Sequence, residues 1–326
     1  MRIQKKIKAV ILVLTACMAL AGCGKNKDAE IRIGAMKGPT TIGLLQLMEE
    51  AKEGNTENTY QITMAVGADE LTPLLVKGEL DIALVPANVA AVLYNKTEGG
   101  ISVIDINTLG VLYMVTGNDT IKSFSDLRDQ TIYLTGRGTT PDFVLQYLLS
   151  ANNMSLDDVT LEYRSEATEV AALLSENPDA IGLLPQPFVT VACAQNDQLA
   201  ICLSLTEEWT KVQGEGGSSL VTGVTVVRNE FLKENPDAVE LFLREHAVSA
   251  AYTESNLEET AALCVKMEII VKEQVAIKAI PFCNITCITG NDMKQALSGY
   301  LAVLYGQNPE SVGGSLPEDD FYYIGR

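Results

Sequence analysis

One histidine, His246, in a chain of 326 residues leaves little for the commonest forms of side-chain catalysis. Histidine is the usual general base near neutral pH and the usual partner of a nucleophilic Ser or Cys, so Ser–His–Asp, Cys–His and His-rich metal schemes are poorly supplied. His246 lies in a helical pattern over residues 238–251, beside Arg244 and Glu245, and a partly exposed helix position is expected for it. Tryptophan is equally scarce: Trp209 is the only one, and aromatics make up 6% of the chain. The five cysteines that follow Cys23 (Cys193, Cys202, Cys264, Cys283 and Cys287) are odd in number and widely spaced. They do not read as a disulfide framework, and mostly buried thiols are expected. Cys283 and Cys287 lack the two-residue spacing of a zinc knuckle and have no second pair to complete one. Basic charge is short as well, with 24 Lys and Arg against 42 Asp and Glu, a net charge of −18. That argues against nucleic acid and anionic lipid surfaces as partners. It leaves room for an anionic ligand in a locally positive cleft. Beyond residue 22 no run is long and apolar enough to span a bilayer.

The first residues have a pattern of their own. Arg2, Lys5, Lys6 and Lys8 precede an apolar run over residues 9–20, which ends in Leu20-Ala21-Gly22-Cys23. Positive end, short apolar run and small residues before a Cys are the order of a bacterial lipoprotein signal. The expectation is a signal peptide over residues 1–22, lipid on Cys23, a tether over residues 23–30, and a mature protein held at the extracytoplasmic face of the cell membrane. Removal of the four basic residues of that signal leaves 20 basic against 42 acidic residues, a charge of −22.

The remaining length suggests two lobes. The organising stretch is residues 31–54: a short buried strand, a loop Lys37-Gly38-Pro39-Thr40-Thr41, and a helix ending at Gly54. Thr40 or Thr41 is expected to cap the helix, and Gly38 to let the backbone approach whatever lies above. A strand that feeds a helix through such a loop aims backbone N–H groups into the cleft at the strand's carboxyl end. Residues 81–86 form a nearly continuous apolar run, the mark of a buried parallel strand, and break into a second helix start at Asn88. Residues 101–115 read as one long strand that leaves the first lobe near Val115. A second cycle follows. Its loop Arg137-Gly138-Thr139-Thr140-Pro141 repeats the basic residue, glycine, paired threonines and proline of the first. Its strand over residues 179–184 closes in Pro185-Gln186-Pro187-Phe188. Residues 206–217 read as a polar, Gly-rich loop holding Trp209, and residues 220–227 as the returning strand. Helices then dominate to an acidic-aromatic tail at residues 316–323. Two such βαβ series predict two similar α/β lobes.

The lipobox, the KGPTT loop, the DIALVPAN junction, FSDLRDQTI, GRGTTPD and VRNEFLKENPDAVELFL together resemble bacterial ABC-transporter solute-binding lipoproteins. The nearest branch is the one that holds taurine, alkanesulfonate, nitrate and thiamine-precursor binders. The resemblance covers essentially the whole mature chain. It implies an α/β protein of type II periplasmic-binding fold, with lobe 1 over residues 31–115 and 223–326, lobe 2 over residues 116–222, and two crossing strands. It implies a monomer working with a membrane permease and its ATPase, with no enzymatic activity and no cofactor. A hinge-closing binder needs donors aimed into the cleft from both lobes. The candidates are Lys37, Gly38, Thr40, Thr41 and Asn88 from the first lobe, and Arg137, Gly138, Thr139, Thr140 and Gln186 from the second. Trp209 and Phe188 are candidate stacking surfaces. Two basic residues and two helix ends point to a small anionic or zwitterionic solute such as a sulfonate or carboxylate. The alternative is a heteroaromatic vitamin precursor, and a small-molecule enzyme on the same fold is the third reading.

Overall fold

The computed structural model describes residues 30–326. The expected signal peptide, Cys23 and most of the tether lie outside the described residues. Strands β1 (Glu30–Met36), β2 (Thr59–Ala65), β3 (Ile82–Pro86) and β4 (Ile101–Leu109) come first. Then follow β5 (Leu112–Thr116), β6 (Thr131–Leu134), β7 (Thr160–Tyr163), β8 (Ile181–Pro185) and β9 (Ala200–Ser204), and finally β10 (Val221–Arg228) and β11 (Ile285–Ile288). A six-stranded sheet has the order β11-β4-β10-β3-β1-β2, and a five-stranded sheet the order β7-β6-β8-β5-β9. β1 runs parallel to β2 and β3, and β6 parallel to β7 and β8. The antiparallel members are β10, between β3 and β4, β11, at the edge beside β4, and β5, between β8 and β9.

Burial follows position in the sheet. The central strands β4 and β10 are buried at all but their last residue, as strands covered on both faces must be. β2, at an edge, alternates between exposed and half-buried until its last residue. Asp81 joins the centre electrostatically. Its buried carboxylate accepts the Arg32 side chain at 2.6 and 2.8 Å, the Arg32 amide at 3.0 Å and Arg228 at 3.2 Å, tying β1 and β10 to the start of β3.

Residues 101–115 are not one strand. The chain breaks at Gly110-Val111 and β4 and β5 lie in different sheets, so the first crossing comes before Val115. Thr206 presses on this break, where a Cβ on Gly110 would sit 2.3 Å from its Oγ1. Residues 206–217 are not a loop either. Leu205–Gln213 is a helix, capped by the Ser204 hydroxyl accepting from the Glu207 amide, and it stops at Gly214, whose φ is +73°. The opening helix is broken, with Pro39–Ile42 followed by Leu45–Glu53. Its expected Thr cap is absent, because Thr41 Oγ1 donates to the Met36 carbonyl at 2.6 Å instead. The tail joins the core: Phe321 is fully buried against Tyr94. His246 is fully buried rather than partly exposed, on the face of the helix Pro236–Ser255 that covers the six-stranded sheet.

The helix Gly290–Gln307 buries Leu297, Tyr300, Leu301 and Leu304 in a core cluster that also takes in Leu145 and Leu148 of the helix Thr140–Ala151. Trp209 sits in this seam. It is 1% exposed, its ring lies 4.8 Å from Tyr147 and 5.4 Å from Tyr300, and its indole N–H donates to the Ser218 carbonyl at 2.7 Å.

Candidate ligand cleft

Four helices begin at the carboxyl ends of parallel strands and turn their first residues toward one cavity of about 660 Å³. Pro39–Ile42 and Ala68–Val76 follow β1 and β2, while Thr140–Ala151 and Ala167–Glu176 follow β6 and β7. The four starts bring unpaired backbone N–H groups and the positive ends of helix dipoles to a common space. They also bring two carboxylates, Asp69 and Glu166, both of which line it. The floor is made where β10 crosses beneath Thr40. A Cβ on Gly223 would lie 2.4 Å from Thr40 Cγ2 and 2.6 Å from Asn107 Oδ1, so this close approach requires glycine.

Threonine hydroxyls mark the floor. Thr40 and Thr222 are 4% and 8% exposed, both line the cavity, and neither Oγ1 has a hydrogen-bond partner. Thr140, also lining, has only long contacts: 3.5 Å to Asn88 Oδ1 and 3.4 Å to the Thr222 carbonyl. A buried hydroxyl without a partner costs free energy unless something else supplies the bond. Two such groups facing one cavity, with the weakly bonded Thr140 hydroxyl beside them, are what a polar ligand would satisfy.

The two expected cations differ in state. Lys37 lines the cavity but its Nζ is 3.1 Å from Glu268, which lines it too. Arg137 makes no ion pair among the described residues. Its guanidinium lies over the Tyr163 ring, 4.2 Å from the centroid, a cation–π contact that orients it. The Tyr163 hydroxyl donates to Asp142 at 2.8 Å, and Asp142 also accepts from the Gly138 amide at 2.7 Å and Gln146 at 2.7 Å. Burial first, and then the Asp142 carboxylate, push the Tyr163 phenol up, so it stays a neutral donor.

Among the other expected residues, Gly38 and Thr139 line the cavity. Gly38 is extended and a Cβ there would meet nothing, so it faces open space and is not needed for close approach. The remaining expectations need correction, since Thr41, Asn88, Gly138, Gln186 and Trp209 do not line the cavity. Thr41 is bonded to Met36 and lies beneath the cavity wall. Asn88 is fully buried and donates to the Gly138 and Ser311 carbonyls, each at 3.1 Å, which makes it a strut between the two series of helices. Gly138 turns its amide to Asp142 and its carbonyl to Asn88. Gln186 accepts from the Thr190 amide and hydroxyl. Trp209 belongs to the interhelical seam and is no part of the cavity wall. Phe188 does line it, 6% exposed, together with apolar Met36, Val66 and Leu112.

Sequence reading missed Asp69, Thr72, Glu166 and Thr168, although the strand–loop–helix rule applied to the first and second loops reaches them equally. Thr222 and Glu268 carried no local signal, because one lies within a returning strand and the other in an irregular connection.

Two similar α/β lobes, crossing strands and a cavity walled by helix starts from both define a protein of the type II periplasmic-binding fold. The chain belongs to the NMT1/THI5-like family, whose pattern matches residues 61–259. Among curated proteins it is 24% identical over 174 residues to binding proteins from Brucella abortus and Brucella suis, a match that covers 53% of this chain and 52% of each of those. The chain thus spans about half the length of the curated relatives it matches. An ABC-transporter protein from Parabacteroides distasonis has a similar structure, with a TM-score of 0.73 at 24% identity, covering 91% of this chain and 99% of that one. The periplasmic aliphatic sulphonate binding protein of Escherichia coli gives 0.71 at 13% identity, covering 91% and 92%. The periplasmic nitrate-binding protein of Synechocystis gives 0.65 at 13%, covering 87% and 84%.

Proposed function

We propose that this chain is the solute-binding component of an ABC importer, closing on a small zwitterionic ligand between its lobes. The observation that carries the reading is the pair of unpartnered, buried hydroxyls of Thr40 and Thr222 at the floor of the cavity. Arg137, fixed over Tyr163 and free of any ion pair among the described residues, is suited to a sulfonate or carboxylate end. Asp69 and Glu166 are suited to an ammonium end. Neutralisation of Lys37 by Glu268 argues against a purely anionic solute. The relatives named as binding proteins and the similar transporter structures agree with a receptor rather than an enzyme. With a lipid on Cys23, the protein would work as a monomer at the extracytoplasmic face of the membrane, delivering its ligand to a permease coupled to an ATPase.

A second reading, a planar heteroaromatic solute, rests on Phe188 and the apolar walls around it. Calorimetry with a panel of aminosulfonates, simple sulfonates, carboxylates and pyrimidines tests the choice. The zwitterion reading expects binding of an aminosulfonate or amino acid that weakens by about tenfold or more in Arg137→Ala, the size of a lost charge-assisted bond. Binding of a pyrimidine that is insensitive to Arg137→Ala and lost in Phe188→Ala would replace it. Steady product formation from any bound compound would overturn the receptor reading.

A further inference from the structure

We infer that Asp105, His246 and Cys287 form a binding site for one divalent metal ion of the zinc type, in the six-stranded-sheet lobe and outside the ligand cleft. The three come from different elements: β4, the helix Pro236–Ser255 and β11. Their donor atoms all lie within 4.8 Å of one another. His246 Nδ1 is 3.1 Å from Asp105 Oδ2 and 4.0 Å from Cys287 Sγ. A tetrahedral zinc ion, with bonds of about 2.0–2.1 Å to N and O and about 2.3 Å to S, sets its donors roughly 3.3–3.6 Å apart. The thiol would need to move toward His246 by only about half an ångström.

Charge supports the same reading. Asp105 and His246 have no exposed surface, and no Lys or Arg pairs with Asp105 among the described residues. Its other oxygen takes a neutral hydroxyl, Thr225 Oγ1, at 2.8 Å. A buried carboxylate needs a countercharge or a metal. A divalent ion bound by one carboxylate, one thiolate and a neutral imidazole makes the cluster neutral, with the thiol proton released to solvent. A nucleophilic relay fits less well. It would set the thiol and the carboxylate on opposite ring nitrogens. Here both gather at Nδ1, while Nε2 has no partner. Phe242 stacks on the ring at 5.4 Å and holds its plane.

Cys287 also lines a second, small cavity of about 270 Å³ with Thr289, Gly290 and Gly325, from which water would supply the fourth ligand. The ion would anchor β11, the edge strand whose pairing with β4 is interrupted between Ile285 and Ile288, where Cys287 sits.

Cobalt(II) added to the purified, metal-free protein tests this. One equivalent should produce tetrahedral d–d bands and a thiolate-to-cobalt charge-transfer band, both displaced by zinc(II). Cys287→Ser, a conservative change at a half-buried position, should keep the metal-free melting temperature within about 2 °C and lose the charge-transfer band. Absence of the band in the unaltered protein, or its persistence in Cys287→Ser, would overturn the site. A variant-free readout is alkylation followed by mass spectrometry. Zinc(II) should slow modification of Cys287 by about tenfold or more while leaving the half-buried Cys193 unchanged. Equal rates at Cys287 with and without zinc would be equally fatal.

Discussion

Thr40 and Thr222 carry hydroxyls that the fold buries and leaves unpaired. Replacement by Val keeps the shape and removes the group. The ligand-free protein should therefore lose little or no stability, since nothing is broken. A ligand bonded to either hydroxyl should lose about 1–3 kcal/mol, roughly five- to 150-fold in Kd, because its own polar group is left unpaired. Calorimetry beside a melting curve for Thr40→Val and Thr222→Val separates the two effects, and a stability loss with unchanged affinity would make these hydroxyls structural. Trp209 predicts the opposite division. Trp209→Ala empties a fully packed site and should cost about 3–5 kcal/mol. Ligand affinity measured well below the melting temperature should hardly change. In sequence, Trp209 in a polar stretch and Thr40 in a helix-start loop were equally plausible site residues. What separated them was the helix Leu205–Gln213, which turns the indole onto Tyr147 and Tyr300.

Among the elements, the seam of β1, β3 and β10 rests on Asp81. Burial alone would raise this carboxyl's pKa, but donation from the Arg32 side chain, the Arg32 amide and Arg228 outweighs it, and the pKa is held below the ordinary carboxylate value. A depressed folded pKa means that the contribution is fully present above the unfolded value of about 3.9 and is lost as pH falls through the lower folded value. Urea unfolding of the wild type and Asp81→Asn should thus differ most between pH 5 and 7, and the difference should shrink as pH falls below about 3.9, the ordinary carboxylate value. A difference that stays constant with pH would mean that Asp81 acts through shape alone. The identity of most strands was legible from their apolar runs, β3 and β10 most clearly. The division of residues 101–115 was not. Both halves are apolar enough to read as strand, and the change of sheet shows only in the fold, where Thr206 presses on Gly110.

For the molecule as a whole, the cleft and the aromatic seam are separate structures. The cleft gathers helix starts from both sheets, whereas the seam joins Gly290–Gln307 to Thr140–Ala151 through Trp209, Tyr147 and Tyr300. Ligand at a hundred times its Kd should stabilise the protein by about 2.7 kcal/mol and raise its melting temperature by roughly 4 °C. Trp209 is the only tryptophan, so its fluorescence reports on the seam alone. Gly290–Gln307 packs on the six-stranded sheet whereas Trp209 and Tyr147 belong to the lobe of the five-stranded sheet, so closure of the lobes on a ligand should change the emission, and unfolding should shift it to the red. Unchanged emission at saturating ligand would mean that the seam stays packed while the cleft closes.

Sequence by itself determined the α/β class, the two repeated strand–loop–helix cycles and the two loops that face one another across the cavity. Those features are local: apolar runs, glycine, proline and a helix start each act on near neighbours in the chain. Tertiary structure alone decided which polar groups within the loops are free. Asn88 and Thr41 have the same donors and acceptors as any ligand-binding residue, and their donors are spent on carbonyls that the folded chain supplies. Thr222, Glu268 and the Asp105–His246–Cys287 cluster meet their neighbours only when strands far apart in sequence lie side by side. Whether a side chain is satisfied depends on everything around it after folding, and residue type and spacing do not carry that information.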